Sequence, residues 1–150
     1  MLNKKTFLFA IFLSLCLGVN VFSQTVAGKI YGKEEANKLY GPVLESMTIP
    51  VEKFKTMVEK AGASMLFNFE KGSLYIFNEK RASVFSNGGV RAFTSNAVMK
   101  RYSVSVINQL LTKGNNSSVV IEKRQNVLSV TVGEYTMESS VDCPPYCTIE

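Results

Sequence analysis

The stretch VLESMTIPVEKFKTMVEKAGASMLFNFEKGSLYIFNEKRASVFS, residues 43–86, decides the fold. The apolar run before Pro50 predicts a strand, and a helix is predicted to begin at Pro50 because proline suits the first helical position. Apolar residues then recur at three- and four-residue spacing on one helical face, and Gly62 favours the left-handed backbone that ends a helix. The stretch therefore opens as a strand followed by an amphipathic helix.

Three strands are predicted after this helix. Met65, Phe67 and Phe69 alternate with more polar residues, which is typical of a strand with one buried face. Residues 74–77 are apolar on both faces and predict a central strand, and residues 81–85 predict a third strand. Residues 43–86 thus predict one β-α-β-β-β unit.

A fainter copy of this unit follows at residues 98–139. Ser105 is predicted to cap its helix, and in a later strand Leu128 and Val130 face one way while Ser129 faces the other. The apolar positions at helical spacing in this copy are Val106, Ile107, Leu110 and Leu111. We therefore predict an α+β fold of two tandem, pseudo-duplicated β-α-β-β-β units, whose antiparallel sheets are covered by two packed helices. The alternative is that two ordinary motifs resemble each other by coincidence.

Residues 1–23 have the composition of a signal peptide. Lys4 and Lys5 form a positive start, and residues 6–21 form an apolar run that is short for a membrane span. A retained anchor and a lipoprotein modified at Cys16 are the alternatives. We expect a protein exported from a bacterial cell to the periplasm, the outer membrane or the outside, with no membrane span after cleavage.

After the signal peptide, we expect residues 24–139 to form a single α+β domain with pseudo-repeats at 43–86 and 98–139. Residues 140–150 are expected to form a C-terminal tail that carries a cysteine pair. The link between the two units contains Gly88-Gly89, which favours a flexible connection.

The charge of the chain is mildly basic. The formal charge of +5 falls to +3 when Lys4 and Lys5 leave with the signal peptide. The remaining basic residues are scattered rather than gathered into one patch, and we predict that they are solvated and bind no nucleic acid. They include Lys80-Arg81, Arg91, Lys100-Arg101 and Lys123-Arg124.

The composition excludes several kinds of catalytic site. With no histidine, the chain cannot form a Ser-His-Asp or Cys-His arrangement. Gly88-Gly89 lacks the lysine and serine spacing of a phosphate-binding loop. Glu134 and Glu138 share one strand face about 13 Å apart, which is too far for a glycosidase pair, and they are predicted to be solvated. We therefore expect no enzyme activity, no cofactor and no metal.

Two cysteines lie in the predicted tail, in the motif Cys143-Pro144-Pro145-Tyr146-Cys147. Export would place them in an oxidising compartment, so we predict a structural disulfide between Cys143 and Cys147. The C-x3-C spacing with proline resembles the copper motif of Sco-type assembly proteins and, loosely, the active-site pair of glutaredoxins. This resemblance implies thiol-redox or metal chemistry. However, Sco-type copper sites also need a histidine, and those motifs open a helix, whereas little chain follows Cys147.

The leading functional hypothesis is a non-catalytic binding or assembly module of the bacterial envelope, whose partner is another envelope protein. The alternative is a thiol-redox or metal-binding protein that works through the cysteine motif. The oligomeric state is left open. Candidate partner-binding residues are Gly88, Gly89, Arg91 and Phe93 in the link, and Pro144, Pro145 and Tyr146 in the tail.

Overall fold

The structure, a computed structural model, describes residues 26–89, 97–138 and 140–143. The predicted signal peptide and residues 144–150 lie outside the described residues, as do Arg91 and Phe93. The helices are α1 (Lys33–Tyr40), α2 (Val51–Glu59) and α3 (Val104–Gly114). The strands are β1 (Lys29–Gly32), β2 (Glu45–Pro50), β3 (Ser64–Glu70), β4 (Ser73–Asn78), β5 (Ser83–Ser86), β6 (Met99–Ser103), β7 (Ser118–Lys123), β8 (Leu128–Val132), β9 (Tyr135–Glu138) and β10 (Val141–Cys143).

The described strands form two five-stranded antiparallel sheets, so the predicted α+β class is confirmed. Sheet 1 has the order β1-β9-β8-β7-β2, and sheet 2 has the order β10-β6-β3-β4-β5. Strands β2 and β6 pair with strands that are distant in the sequence. Strand β2 pairs with β7, and β6 pairs with β3. Each sheet therefore contains two strands from the other half of the chain, β1 and β2 in sheet 1 and β6 and β10 in sheet 2.

The two longer helices begin and end close to their predicted positions. Helix α2 begins at Val51, directly after Pro50, and Gly62 has the predicted left-handed backbone with φ of 80°. Helix α3 begins at Val104, so the residue that precedes it is Ser103, and the predicted cap at Ser105 is wrong. Helix α1 is an additional short helix that packs on β1 and β9.

One hydrophobic core joins α2, α3 and the inner faces of both sheets. Phe67 is fully buried in it, and its ring meets the ring of Tyr102 edge to face, with centroids 5.9 Å apart. The Tyr102 hydroxyl donates to the Leu128 carbonyl oxygen, which links sheet 2 to sheet 1. The predicted alternation of Met65, Phe67 and Phe69 is confirmed, because all three belong to this core.

The outer face of sheet 2 carries a second apolar cluster. Strand β4 is buried on both faces, as predicted for a central strand. The outer cluster contains Leu66, Tyr75, Phe77, Met99 and Cys143. Arg101 is also buried, so its predicted place on a solvated surface is wrong.

The first residues after β9 belong to the fold rather than to a separate tail. Strand β10 pairs with β6, and Cys143 lies opposite Met99. The Arg81 side chain holds this strand, because Nη2 donates to the carbonyl oxygens of Ala97 and Cys143, both at 3.3 Å. The same nitrogen lies 3.4 Å from Cys143 Sγ.

We expect Gly114→Ala to destabilise the protein, although alanine normally favours helices. A Cβ atom at Gly114 would lie 2.4 Å from Val132 Cγ1 and 2.5 Å from the Val132 carbonyl oxygen. Relief of this overlap should lower the free energy of unfolding by about 1–3 kcal/mol, measured by urea denaturation. Gly32→Ala is the control, because nothing lies within 4 Å of its Cβ position. Equal losses in the two variants would contradict the close packing of α3 on β8.

Candidate functional site

The connection between β1 and β2 crosses one face of sheet 1. These strands are its two edges in the described part of the chain, so residues 33–44 have to span β9, β8 and β7 to join them. We call residues 33–44 the strap. Its far end is fixed where the Leu44 backbone N–H donates to the Lys123 carbonyl oxygen at 2.9 Å. The strap covers the outer face of sheet 1, opposite the apolar core.

Beneath the strap lies a set of buried polar side chains, which we call the buried polar cluster. Strands β8 and β9 each supply two of its members. Of the other two, one lies in β7 and one in the turn directly after it. Every member is at most 6% exposed. The cluster consists of Glu122, Arg124, Ser129, Thr131, Thr136 and Glu138.

The Arg124 guanidinium is the centre of the cluster. Its Nη2 donates to Glu122 Oε2 at 3.0 Å, and its Nε donates to Ser129 Oγ at 3.0 Å. Its Nη1 reaches the strap, where it donates to Asn37 Oδ1 at 2.9 Å and to the Gly41 carbonyl oxygen. The Arg124 side chain thus links the buried polar cluster to the strap.

The carboxylates of Glu122 and Glu138 differ in how completely they are hydrogen-bonded. Glu122 Oε2 also accepts from Thr131 Oγ1 at 3.0 Å, and Thr131 in turn bonds Thr136 at 2.9 Å. Glu138 Oε1 accepts from Ser129 Oγ and lies 3.3 Å from Arg124 Nε. Glu138 Oε2 is buried and has no hydrogen-bond partner among the described residues. A buried carboxylate oxygen without a donor disfavours ionisation of that group.

Burial raises the pKa of Glu138 above the ordinary value of 4.5. The hydrogen bond from Ser129 and the charge of Arg124 lower this pKa, whereas the charge of Glu122 raises it further. When both carboxylates are ionised, they share the single Arg124 charge, and the cluster carries a net negative charge out of water. Folding therefore shifts Glu138 towards its protonated form, relative to the unfolded chain.

This arrangement predicts that the contribution of Glu138 to stability falls as the pH rises. Because the pKa of Glu138 is higher in the folded than in the unfolded chain, its contribution is fully present below 4.5 and is lost as the pH rises through the folded value. Urea denaturation at a series of pH values from about 4 to about 8 measures this loss. In Glu138→Gln the pH dependence should be weaker. An unchanged pH dependence in that variant would show that folding does not raise the pKa of Glu138.

The sequence prediction missed this cluster. Glu134 is exposed as predicted, but Glu138 is fully buried, so its predicted place on a solvated strand face is wrong. Arg124 was predicted to be solvated together with Lys123, and it is 1% exposed. The available signal was the series of hydroxyls at the outward positions of β8 and β9, Ser129, Thr131 and Thr136.

The structure does not bring the predicted partner-binding residues together. Gly88 and Gly89 are exposed just after β5, where Ser86 Oγ donates to the Gly89 carbonyl oxygen at 2.7 Å. Cys143 lies on β10, at the opposite edge of sheet 2. Cys147 lies outside the described residues, so the disulfide stays a prediction. The other candidates outside the described residues are Arg91, Phe93, Pro144, Pro145 and Tyr146.

Two clefts flank the turn between β7 and β8. One, of about 360 Å³, is lined by Phe69, Val98 and Lys100 among others, and the other, of about 320 Å³, by Leu39 and Tyr40 among others. Residues 125–127 of the turn line both clefts. A third groove, of about 680 Å³, lies between α2 and α3 and is lined by both apolar and polar side chains, among them Val58, Leu111 and Asn108.

Two exposed apolar side chains, Leu39 and Val98, line these clefts, and the Leu44 backbone bonds to Lys123, at the end of β7. Six large apolar side chains are exposed among the described residues, and four of them lie on the strap or directly before β6. We call these four, together with residues 125–127, the hairpin-end surface. The four are Leu39, Val43, Leu44 and Val98.

The described residues contain no group of three His, Cys, Asp or Glu side chains placed to hold a metal ion. None of the described helices has the length and apolar character needed to cross a membrane. Comparisons with protein-family models, curated proteins and solved structures found no match to this chain.

Proposed function

We propose that the protein is an exported, non-catalytic binding or assembly module of the bacterial envelope, and that its hairpin-end surface contacts another envelope protein. Export rests on the signal-peptide composition of residues 1–23. The binding role rests on the hairpin-end surface.

The observation that carries this proposal is that exposed apolar side chains line, or are joined by the chain to, two clefts at the turn between β7 and β8. Leu39, Leu44 and Val98 are 58%, 61% and 55% exposed. Single exposed apolar residues are ordinary, but several around one concave feature are typical of an interaction site. Two ion pairs border the surface, Lys123 with Glu45 and Lys100 with Asp142. A polar rim around an apolar centre is the usual arrangement of a protein interface.

The experiment places a photo-crosslinking amino acid at Leu44 or Val98 in the native cell. Asn108, in the groove between α2 and α3, and Tyr135, an exposed residue at the other end of β8, are the control positions. We expect one discrete protein adduct from Leu44 and Val98, and none from the controls. Adducts from Asn108 alone would move the interface to the helices, and no adduct at any position would contradict the binding function.

Double substitution of the same surface tests the energy of the contact. Leu44→Ser with Val98→Ser should reduce co-purification of the captured partner at least tenfold, because the centre of an interface carries most of the binding energy. The unfolding free energy should change little, because both side chains are exposed. Retained co-purification would contradict the assignment of this surface.

A second candidate function is favoured by the contact between Arg81 and Cys143. The Arg81 guanidinium lies 3.4 Å from Cys143 Sγ, where it would stabilise the thiolate that is released when a disulfide is reduced, a feature of redox-active cysteines. Thiol counting of the mature protein, with and without glutathione, separates the candidates. A pair that resists glutathione supports the binding module, and a pair that glutathione readily reduces supports thiol chemistry.

We also infer that the two halves arose by duplication of one β-α-β-β-β unit. The order strand, helix and three strands in both 45–86 and 99–138 supports this, as does the reciprocal placement of β2 and β6. Superposition of the two halves tests the inference. Failure of 98–139 to overlay on 43–86, element by element, would overturn it.

A further inference from the structure

The strap is held on sheet 1 mainly by polar contacts. Ala36 is the buried residue of α1, and the charged residues of this helix are all exposed. The Lys33 backbone N–H donates to the Glu134 carbonyl oxygen at 2.9 Å, and the Tyr40 hydroxyl donates to the Tyr31 hydroxyl at 3.0 Å. Further attachments are the edge contact of the Tyr31 and Tyr40 rings and the backbone bond from Leu44 to Lys123. Arg124 also holds the strap, because it reaches Asn37 and Gly41. A cover with so little apolar burial is expected to open more readily than the core helices.

The ionisation of the buried polar cluster therefore affects how firmly the strap is bound to sheet 1. We propose that the strap is a pH-sensitive cover, in which ionisation of Glu138 loosens α1 from sheet 1 and admits water to the buried polar cluster. The inference goes beyond the binding function and does not depend on the hairpin-end surface.

The charged and titratable groups around Glu138 come from every neighbouring element. Strand β7 supplies Glu122, and the turn after it supplies Arg124. On β1, Lys29 lies directly opposite Glu138, but it is exposed and its Nζ lies 4.9 Å from the centroid of the Tyr31 ring. On β6, burial raises the pKa of Tyr102, and the charge of Glu138 raises it further, so this tyrosine stays neutral. On α1, Tyr40 is held by Tyr31, and the exposed charges are Lys33, Glu34, Glu35 and Lys38.

These surroundings leave the ionised Glu138 poorly compensated. Arg124 already donates to Glu122, and Glu138 Oε2 has no donor among the described residues. Lys29 acts through solvent, where its charge is screened. Opening of the strap would let water reach the Glu138 carboxylate and donate hydrogen bonds to Oε2. Because burial raises the pKa of Glu138, the closed state binds a proton more tightly than the open state does. Opening is therefore favoured as the pH rises.

Hydrogen–deuterium exchange of the full chain tests the proposal. Protection of the α1 amides, corrected for the intrinsic pH dependence of exchange, is compared with protection of α3 from about pH 4.5 to about pH 8. We expect the protection of α1 to fall by up to about tenfold per pH unit across the titration of Glu138, since one proton is linked to opening. Protection of α3 should change much less. In Glu138→Gln the protection of α1 should not depend on pH.

Two results would overturn the proposal. One is protection of α1 that does not change with pH in the wild type, and the other is the same change in wild type and Glu138→Gln. If that variant does not fold, carboxyl-carbon NMR of the wild-type protein replaces it. The midpoint of the Glu138 titration must then coincide with the loss of α1 protection, and a difference of more than about one pH unit would refute the link. Asn37→Ala is a second control, which should lower α1 protection equally at every pH.

Discussion

Arg124→Ala is expected to lower the free energy of unfolding by about 3–5 kcal/mol at neutral pH, because removal of one partner from a buried ionic group leaves its carboxylates without a counter-charge. Glu122 and Glu138 both contact this guanidinium. Neither can reach water while the strap is closed, and the strap itself loses its bonds from Arg124. The loss should shrink near about pH 4, because protonation of Glu138, whose pKa burial raises, removes one of the two carboxylate charges.

Urea denaturation of the variant at both pH values measures this effect, and Lys123→Ala is the matched control. Lys123 is the preceding residue and also pairs with a glutamate, Glu45 at 2.9 Å, but both side chains are partly exposed. An exposed ion pair contributes little, so the control should stay near the wild type. Equal losses at the two positions would mean that Arg124 is not the centre of a buried cluster. A loss in Arg124→Ala that does not depend on pH would exclude the carboxylates as its cause.

Phe67→Ala is expected to cost about 3–5 kcal/mol, because it removes a fully buried ring and leaves a cavity between the sheets. The ring packs edge to face on Tyr102, whose hydroxyl bonds across to Leu128 of sheet 1. The truncation therefore weakens the contact between the two sheets as well as the packing within sheet 2.

Chemical denaturation compares this variant with Tyr135→Ala, which truncates an aromatic side chain that is 38% exposed. The control should lose less than about 1 kcal/mol. A loss below about 1 kcal/mol in Phe67→Ala itself would contradict the placement of that face of β3 in the core.

The elements of the fold could be predicted where local periodicity decides them. The alternation at Met65, Phe67 and Phe69 identified the face of β3 that enters the core, and the apolar run of β4 identified a central strand. The burial of Leu66 on the other face of β3 was not predicted. Local periodicity says nothing about which strand lies beside which. The pairing of β2 with β7 and of β6 with β3 depends on contacts between distant segments. Strand β10 was missed because three residues are too few to show a period.

The buried polar cluster could not be predicted, because its burial comes from the strap and not from its own strands. On an uncovered sheet, the pattern of Glu122, Arg124 and Glu138 would be a solvated face. The strap is a short polar helix, and nothing in its own composition indicates which surface it covers. The hydroxyl side chains of Ser129 and Thr131 become informative only when that cover is known.

The pairing of β2 with β7 and of β6 with β3 affects how the chain folds during its synthesis. Glu45 of β2 pairs with Lys123 of β7, a residue 78 positions later, so sheet 1 stays incomplete until most of the chain has been synthesised. Pairing over such sequence separations gives a high contact order and slow folding. Until then β2 is an unpaired strand open to wrong partners. A chaperone that accompanies the nascent chain would have to shield β2 until β7 arrives.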